Sequence, residues 1–439
     1  MQTRFPPAAL ADPDMAQSES VIRKCVHCGF CTATCPTYVL LGDELDSPRG
    51  RIILIKDMLE NARQPSAEVV THIDRCLSCL SCMTTCPSGV HYGHLVDHAR
   101  AYIDQNYRRP WPDRMIRWVL GQVLPYPARF RAALALGRLA QPLKPLLQRV
   151  PALKPVAAML ALVPRRQHAQ ATSLPAPAPS VTNGPRVILL QGCAEPVLQP
   201  AIRVATQRVL ARAGCDVVLA QGEGCCGALV HHMGQDAAAK AAARRNIDAW
   251  DAVEVAGPVV AIVITTSGCG TSIKDYGFLL RDDPAYAQRA AHFSALARDI
   301  SEFVATLDMP PVAPAAAPLR VAYHPACSLQ HGQGVTDAPR QLLTRAGYTV
   351  VTPKEAHLCC GSAGVYNILQ PDLADRIGQR KVANLDRLGA AVIAAGNVGC
   401  AMQIGQRTAT PVVHTIELID WAQGGPRPYQ IPPAQIAES

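Results

Sequence analysis

The sequence has few aromatic residues and no long apolar run. Only 5% of its 439 residues are Phe, Trp or Tyr, and only 17% are charged. A membrane-spanning helix needs a run of about 18 uncharged apolar residues, and the sequence contains none. The first residues, MQTRFPPAAL, lack the apolar core of an export signal, so we expect the protein to stay in the reducing cytoplasm.

Against these absences stand 17 cysteines and a formal net charge of +8. In a reducing compartment, many cysteines indicate metal binding rather than disulfides. The length suits about two to four domains. Hydrophobic residues make up 49% of the chain, which is enough to bury a core in each domain.

Eight cysteines form two copies of the motif C-x2-C-x2-C-x3-C, each followed by proline. A cubane of four irons needs four converging thiolates, and one tight loop can supply three of them. In two-cluster ferredoxins the fourth comes from the other motif. The spacing therefore predicts two 4Fe–4S clusters, the first held by Cys25, Cys28, Cys31 and Cys86 and the second by Cys76, Cys79, Cys82 and Cys35.

Zinc and haem are the alternatives for these motifs. Zinc sites usually take two thiols from each of two knuckles, which fits the third evenly spaced cysteine poorly. Covalent haem needs C-x-x-C-H, but Gly29 follows Cys28 and Leu80 follows Cys79. Iron–sulfur clusters are therefore the prediction.

Other polar residues stand close to the two motifs. Ser47 and Pro48 predict the start of a helix between them. Arg49 and Arg51 near that start would either offset cluster charge or form a solvated basic end. Three histidines at helical spacing indicate either a metal or quinone site or a partly exposed polar face: His91, His94 and His98.

A duplicated cysteine pattern fills the C-terminal half. In each copy one cysteine precedes a Cys-Cys-Gly by 32 residues, and a Gly-Cys pair follows. Three apolar strands alternate with helices in each copy, which predicts an α/β fold with a parallel sheet. In the first copy we expect one helix from about Pro196 to Ala213, ending at Gly214. The cysteines fall at strand ends or helix starts, where such sheets place ligands: Cys193, Cys225, Cys226 and Cys269, then Cys327, Cys359, Cys360 and Cys400.

Three residues near these cysteines need separate interpretation. His324 and His357, in the second copy, would either bond to cluster sulfur or pack in the core. The remaining cysteine, Cys215, has Tyr348 at its counterpart position. We therefore expect Cys215 to be a buried structural thiol and not a ligand.

The duplicated domain resembles the cysteine-rich domain of heterodisulfide reductase subunits. A tandem ferredoxin module in front of two such domains is similar to the family of glycolate oxidase iron–sulfur subunits. Iron–sulfur subunits of D-lactate and glycerol-3-phosphate dehydrogenases are close relatives. The resemblance implies that an FAD-bearing flavoprotein partner oxidises a 2-hydroxy acid such as glycolate. This chain would then pass the electrons towards a quinone.

One departure from the heterodisulfide reductase pattern concerns the last element of each copy. That family has C-x-x-C there, whereas this chain has Thr266 and Asn397 at the earlier position. Four thiols per copy remain. They would hold a further iron–sulfur cluster, or they would be structural thiols or a redox dithiol.

Residues 101–166 carry twelve Arg or Lys and two Asp, a net charge of +10 against +8 for the whole chain. Apolar residues such as Met115, Trp118 and Leu120 lie between the charges, and prolines divide the segment into short helices. Such helices suit an anionic membrane surface, docking to an acidic partner subunit, or packing between domains. No nucleic-acid-binding motif accompanies the charge, so no nucleic acid partner is expected.

The expected architecture is an α+β multi-domain protein. Its parts are a mainly helical two-cluster ferredoxin module at 1–105, a basic amphipathic helical segment at 106–170, a linker at 171–185, an α/β cysteine-rich domain at 186–309, a linker at 310–318 and a second such domain at 319–439. The expected function is that of an electron-transfer subunit of a glycolate-oxidising complex with an acceptor other than nicotinamide. We expect it to lie peripherally on the cytoplasmic face of the inner membrane and to have no catalytic residues of its own. The alternatives are an iron–sulfur subunit of a D-lactate or glycerol-3-phosphate dehydrogenase, a self-contained heterodisulfide-reductase-like thiol enzyme, and a non-catalytic iron–sulfur sensor or scaffold.

Overall fold

The computed structural model describes residues 1–150, 153–163, 184–309 and 319–432. A helical N-terminal region is followed by two α/β units, each with a four-stranded parallel sheet. This architecture confirms the predicted fold class. The predicted linkers lie outside the described residues apart from 184 and 185, and the domain boundaries stay predictions.

The N-terminal region is built from helices around one apolar core. Ser47 caps the third helix because its hydroxyl accepts a hydrogen bond from the Gly50 N–H at 2.9 Å, and Pro48 is the first helical residue. Gly50 is required there, since a Cβ would lie 2.0 Å from the Glu44 carbonyl oxygen. The helices are α1 Pro13–Lys24, α2 Pro36–Leu41, α3 Pro48–Glu60, α4 Ala67–Asp74, α5 Ser81–Thr85 and α6 Tyr92–Asn106.

The basic segment consists of short helices, as its prolines predict. They are α7 Trp111–Val123, α8 Pro127–Ala140, α9 Lys144–Gln148 and α10 Lys154–Ala161. One face of α7 packs inward, where Leu120 joins Val230 and Ile368 of the two α/β units in a buried apolar cluster. The opposite face is open, with Trp111 68% and Trp118 60% exposed. Arg165 and Arg166 lie outside the described residues.

The first α/β unit has strand order β2-β1-β3-β4, with all neighbours parallel. The single helix expected at 196–213 is wrong, because the chain leaves the helical conformation at Gln199, just before Pro200, and two helices result. The elements are β1 Arg186–Leu189, α11 Glu195–Leu198, α12 Ala201–Arg212, β2 Asp216–Val218, α13 Ala228–His231, α14 Asp236–Val255, β3 Ala261–Ile264, α15 Ser267–Lys274, α16 Tyr276–Leu279, α17 Ala287–Leu296, β4 Ala297–Asp299 and α18 Ile300–Val304.

The second α/β unit repeats this topology with the order β6-β5-β7-β8. The sequence predicts three strands per copy, and the structure adds a fourth, β4 or β8, each followed by a helix with a capping box. The elements are β5 Arg320–His324, a π-helical turn Ser328–Gly332, α19 Ala338–Arg345, β6 Thr349–Val351, α20 Tyr366–Leu369, α21 Pro371–Asp386, β7 Val392–Ala395, α22 Val398–Gly405, β8 Val412–His414 and α23 Thr415–Ala422.

The two α/β units are joined by two ion pairs to one buried carboxylate. Asp420 on α23 is 1% exposed and accepts hydrogen bonds from Arg208 and Arg212 on α12, the latter at 2.8 Å. Among the described residues, no helix combines the length and the apolar character that a bilayer crossing requires.

Candidate iron–sulfur sites

The eight motif cysteines lie around two neighbouring cavities. Cys82 lines both of them. The fourth cysteine of each motif lies with the first three of the other motif. The first cavity is lined by Cys25, Cys28, Cys31 and Cys86, and the second by Cys35, Cys76, Cys79 and Cys82.

Both motif loops curl through left-handed backbone conformations at the same two positions. In the first loop these are His27 (φ 61°) and Gly29 (φ 86°), and in the second Ser78 (φ 49°) and Leu80 (φ 60°). Residues other than glycine rarely adopt positive φ, and they keep it where a functional site requires the geometry. The turns bring three cysteines of each loop to one side of the chain.

The two cavities differ in their exposure to solvent. Cys28 is exposed, and beside it in sequence Val26 is 67% and Phe30 61% exposed. In contrast, all four cysteines of the second cavity are buried. Burial raises the pKa of Cys79 and of Cys82 well above the usual value of a thiol. Four buried thiolates are stable together only beside a compensating positive charge, which a metal cluster supplies.

Arg51 lies against the second cavity and is 1% exposed. Its Nη1 is 3.8 Å from Cys35 Sγ, and its other nitrogens donate to the His72 carbonyl at 2.7 Å and to Asp46 at 3.3 Å. Burial opposes its charge, but Cys76, Tyr92, Cys35 and Asp46 together raise its pKa. Arg51 is therefore a fixed buried cation beside these thiols. The alternative interpretation, that it forms a solvated basic end of the helix, is wrong.

The second α/β unit holds its four cysteines as two close thiol pairs. Cys327 Sγ is 3.5 Å from Cys359 Sγ, and Cys360 Sγ is 3.3 Å from Cys400 Sγ. Cys359 also shares a buried apolar cluster with Cys79 of the second cavity. The second cysteine-rich unit therefore lies directly against the second thiol set of the N-terminal region.

The first α/β unit brings its four cysteines so close together that their thiols shift one another's pKa. Hydrogen bonds from Cys193 and Cys226 hold the pKa of Cys225 well below the usual thiol value, and the Gly227 N–H acts in the same direction. The Cys225 thiolate is in turn the main cause of a raised pKa at Cys193 and Cys226. Cys269 belongs to the same group.

The residues at the absent fifth cysteine make structural hydrogen bonds. The Thr266 hydroxyl donates to Glu195 at 2.8 Å. The Asn397 side chain accepts from the Gly399 N–H at 2.8 Å and donates to Ser267 of the other unit at 2.9 Å.

Two buried residues lie close to the second unit's thiols, and only one of them, His324, was a candidate from the sequence. His324 is 1% exposed at the end of β5 and lies near Cys360 and Cys400. Lys381 is 2% exposed, and sequence reasoning missed it. The sequence feature that could have identified it is the position of this lysine on the apolar face of α21, between Ile377 and Leu385. His357 is partly exposed, and its carbonyl accepts from His331 Nε2 at 2.9 Å.

The three histidines around α6 do not bring three ring nitrogens together among the described residues, although the ring of His91 stacks on that of His94 at 3.7 Å between centroids. His94 Nε2 is 3.0 Å from Asp275 Oδ1, and its ring stacks on Phe278 at 3.4 Å between centroids. His98 Nδ1 is 2.6 Å from Ser18 Oγ. His94 therefore connects the N-terminal region to the first α/β unit.

Cys215 is buried in an apolar cluster that includes Val187, Val209 and Leu210. Burial raises the pKa of its thiol. Cys226 and Cys269 belong instead to the apolar cluster on the opposite face of the sheet.

The chain is similar to known iron–sulfur proteins. Residues 21–90 match the family described as the 4Fe-4S dicluster domain, and residues 187–274 and 321–405 match the cysteine-rich domain family. The crystal structure of a hypothetical protein from Helicobacter pylori covers 96% of this chain and 74% of its own, with a TM-score of 0.55. At 10% identity, this likeness shows a shared fold alone.

Similarity to curated proteins extends over 96% of the chain. Lactate utilization protein A of Bacillus licheniformis is 28% identical over 54% of this chain and 99% of its own. The probable glycolate oxidase iron-sulfur subunit of Bacillus subtilis (strain 168) is 34% identical over 88% of this chain and 89% of its own. The glycolate oxidase iron-sulfur subunit of Escherichia coli (strain K12) is 40% identical over 96% of this chain and 99% of its own. This chain therefore belongs to the family of glycolate oxidase iron–sulfur subunits.

Proposed function

We propose that this chain is the electron-transfer subunit of a complex in which a separate FAD-bearing subunit oxidises glycolate to glyoxylate. The observation that carries the proposal is the pair of four-cysteine cavities joined at Cys82. A flavin releases two electrons, and two adjacent one-electron centres accept them in succession. The family membership supports the substrate.

The two cavities have the donor sets for two 4Fe–4S clusters. Cys25, Cys28, Cys31 and Cys86 would hold one, and Cys35, Cys76, Cys79 and Cys82 the other. Each cluster, when bound, takes up and releases one electron. The chain keeps water from the second set by burying all four of its cysteines, and it places the Arg51 cation beside them.

The exposed edge of the first cavity is the proposed contact with the flavoprotein. Cys28 reaches the surface there, and the exposed Val26 and Phe30 flank it. Apolar side chains around an exposed ligand give a partner a surface to bury, and the resulting interface excludes water from the electron path. Docking at this edge would place the partner's flavin nearest to the first thiol set.

The open face of the basic segment is the proposed contact with the cytoplasmic face of the inner membrane, where the quinone acceptor would be reached. Trp118 is 60% and Leu139 80% exposed, while Arg109 and Arg117 are held inward by Asp74. Interfacial helices bury such apolar residues in the headgroup region, and basic residues add attraction to anionic lipid. Docking to an acidic subunit is the competing role of this face.

Glycolate-dependent dye reduction by the complex tests the function. A complex purified from native membranes with Cys79→Ser should lose most of its dye reduction and part of its iron, whereas Cys215→Ala, a buried cysteine outside the ligand sets, should retain both. Dye reduction by this chain without a flavoprotein would overturn the proposal. D-lactate is the second candidate substrate, because lactate utilization protein A matches 54% of the chain. Activity with D-lactate and none with glycolate would favour it.

A further inference from the structure

We propose that the second cysteine-rich unit holds an iron or zinc centre in which the imidazole of His324 is a ligand beside the thiolates of Cys360 and Cys400. A ring nitrogen of His324 and the two sulfur atoms all lie within 4.8 Å of one another. All three residues are buried. Imidazole and thiolate together suit these two borderline-soft metals.

His324 lacks the hydrogen bonds that a buried histidine normally has. Neither of its ring nitrogens has a partner among the described residues, although the side chain is 1% exposed. His414, at the end of β8 in the same sheet and equally buried, is satisfied at both ring nitrogens. Its Nε2 lies 2.9 Å from the Thr265 carbonyl, and its Nδ1 accepts from the Ile416 N–H at 3.2 Å. A metal ion would satisfy one nitrogen of His324, and packing alone satisfies neither.

The thiols near His324 are spaced for metal binding. A tetrahedral site with metal–sulfur bonds of about 2.3 Å places two sulfurs about 3.8 Å apart. The Cys360–Cys400 pair is at 3.3 Å and the Cys327–Cys359 pair at 3.5 Å. Small side-chain movements would therefore open either pair around a metal ion. Cys359 and Cys360 are adjacent in sequence but belong to different pairs, so the four thiols offer a metal two separate pairs of sulfur atoms.

The unit also supplies a buried positive charge for a thiolate-rich centre. The Lys381 ammonium is 2% exposed and donates to the Glu355 carbonyl at 2.9 Å. Burial lowers the pKa of Lys381, and the charges of the unit's four thiols act in the opposite direction. A metal centre with several thiolates carries net negative charge, which a buried lysine offsets.

The first cysteine-rich unit cannot form the same centre. At the offset of 134 residues that relates the first three cysteines of the two copies, Leu190 stands where the second unit has His324. Both units lack the fifth cysteine of the heterodisulfide reductase pattern. His324 supplies the second unit with a fifth donor, and the first unit has none at that position. This difference does not depend on which substrate the complex oxidises.

Metal counting and spectroscopy on the anaerobically purified full-length chain test the proposal. The wild type should contain metal beyond the about eight irons of the N-terminal clusters. Pulsed EPR on an iron centre, with ¹⁵N-histidine labelling, should detect histidine nitrogen coupling. X-ray absorption on a zinc centre should show a nitrogen neighbour. Wild-type protein without excess metal, or with excess metal and no nitrogen ligand, would overturn the proposal, and neither result requires a variant to fold.

Two substitutions separate the ligand role from packing. His324→Leu, which copies Leu190, should retain the eight irons and lose the excess metal to a chelator at least about tenfold faster. His324→Cys should keep the metal and lose the nitrogen signal. Cys215→Ala is the control with unchanged metal. Excess metal and spectra that survive in His324→Leu would refute the proposal. Failure of the proposed function alone would instead leave the excess metal intact.

Discussion

Arg51 gives a quantitative test of how the fold sets the reduction potential of the second cluster. Reduction adds an electron to a site whose ligand Cys35 lies 3.8 Å from the Arg51 guanidinium. A buried positive charge favours the reduced state, so Arg51→Met should lower the potential. Arg51→Lys is the matched control, because it keeps the charge and changes its hydrogen bonds.

The size of the shift follows from Coulomb's law. With about 6 Å between the guanidinium and the cluster centre and an effective dielectric constant of about 20, the interaction is about 3 kcal/mol. For a one-electron couple this energy corresponds to about 120 mV. The Asp46 carboxylate stays paired, because Arg75 at 2.8 Å and His72 at 3.0 Å also hold it. The variant is therefore expected to fold with reduced stability.

Redox titration followed by EPR measures this shift in anaerobically purified protein. The potential of the second cluster should fall by about 120 mV in Arg51→Met and by less than half of that in Arg51→Lys. The first cluster should move much less, because it lies farther from Arg51. An unchanged second potential in a variant with full iron content would refute the electrostatic reasoning. Equal shifts of both clusters would do the same.

Three further predictions concern the rest of the chain. Asp74→Asn should lower the free energy of unfolding, measured with denaturant, by about 3 kcal/mol. The reason is that the buried Arg109 and Arg117 lose the carboxylate that lies 2.6 and 2.9 Å from them. A loss below about 1 kcal/mol would contradict this reasoning. Burial raises the pKa of Glu417 from 4.5 to about 7, so the folded state keeps a proton that the unfolded state releases, and stability should fall as the pH rises between these values. Glu417→Gln should flatten that part of the curve of Tm against pH, and an unchanged slope would exclude the carboxyl as its cause. Trp118→Glu should reduce co-sedimentation with anionic vesicles at low salt, whereas unchanged binding would favour subunit docking for this face.

The sequence predicted the cysteine motifs and the parallel sheets because both depend on local spacing. Three ligands in one loop need only the two-residue intervals, and the first three strands of each unit are apolar runs. The fourth strands were missed because β4 and β8 have three residues each and pair along one edge with β3 and β7. The sequence feature that marks the end of each of these strands is the start of the next helix. Asp299 and His414 each precede a glutamate by three residues and form a capping box with it.

The spacing of the basic residues in the sequence did not predict which of them are buried. Arg109 and Arg117 look like any others in the segment, yet both are buried on Asp74, which lies 35 and 43 residues away in the chain. An ion pair of this kind forms only after the tertiary fold has brought α4 and α7 together. The broken helix at Pro200 is a different case, because proline in a helix interior removes a hydrogen bond and clashes with the preceding turn. That break was readable in the sequence.

The repeat itself carries information that neither copy carries alone. The two units keep four thiols each and the same strand order, so the residues that preserve the fold are the ones they share. The positions that differ beside a shared cysteine, such as Leu190 against His324, cannot be needed for that fold. A buried, unpartnered imidazole costs stability, and its presence in only one copy therefore requires a reason specific to that copy. Metal binding in the second unit provides one, because this is the unit whose Cys359 packs against Cys79 of the electron-transfer module.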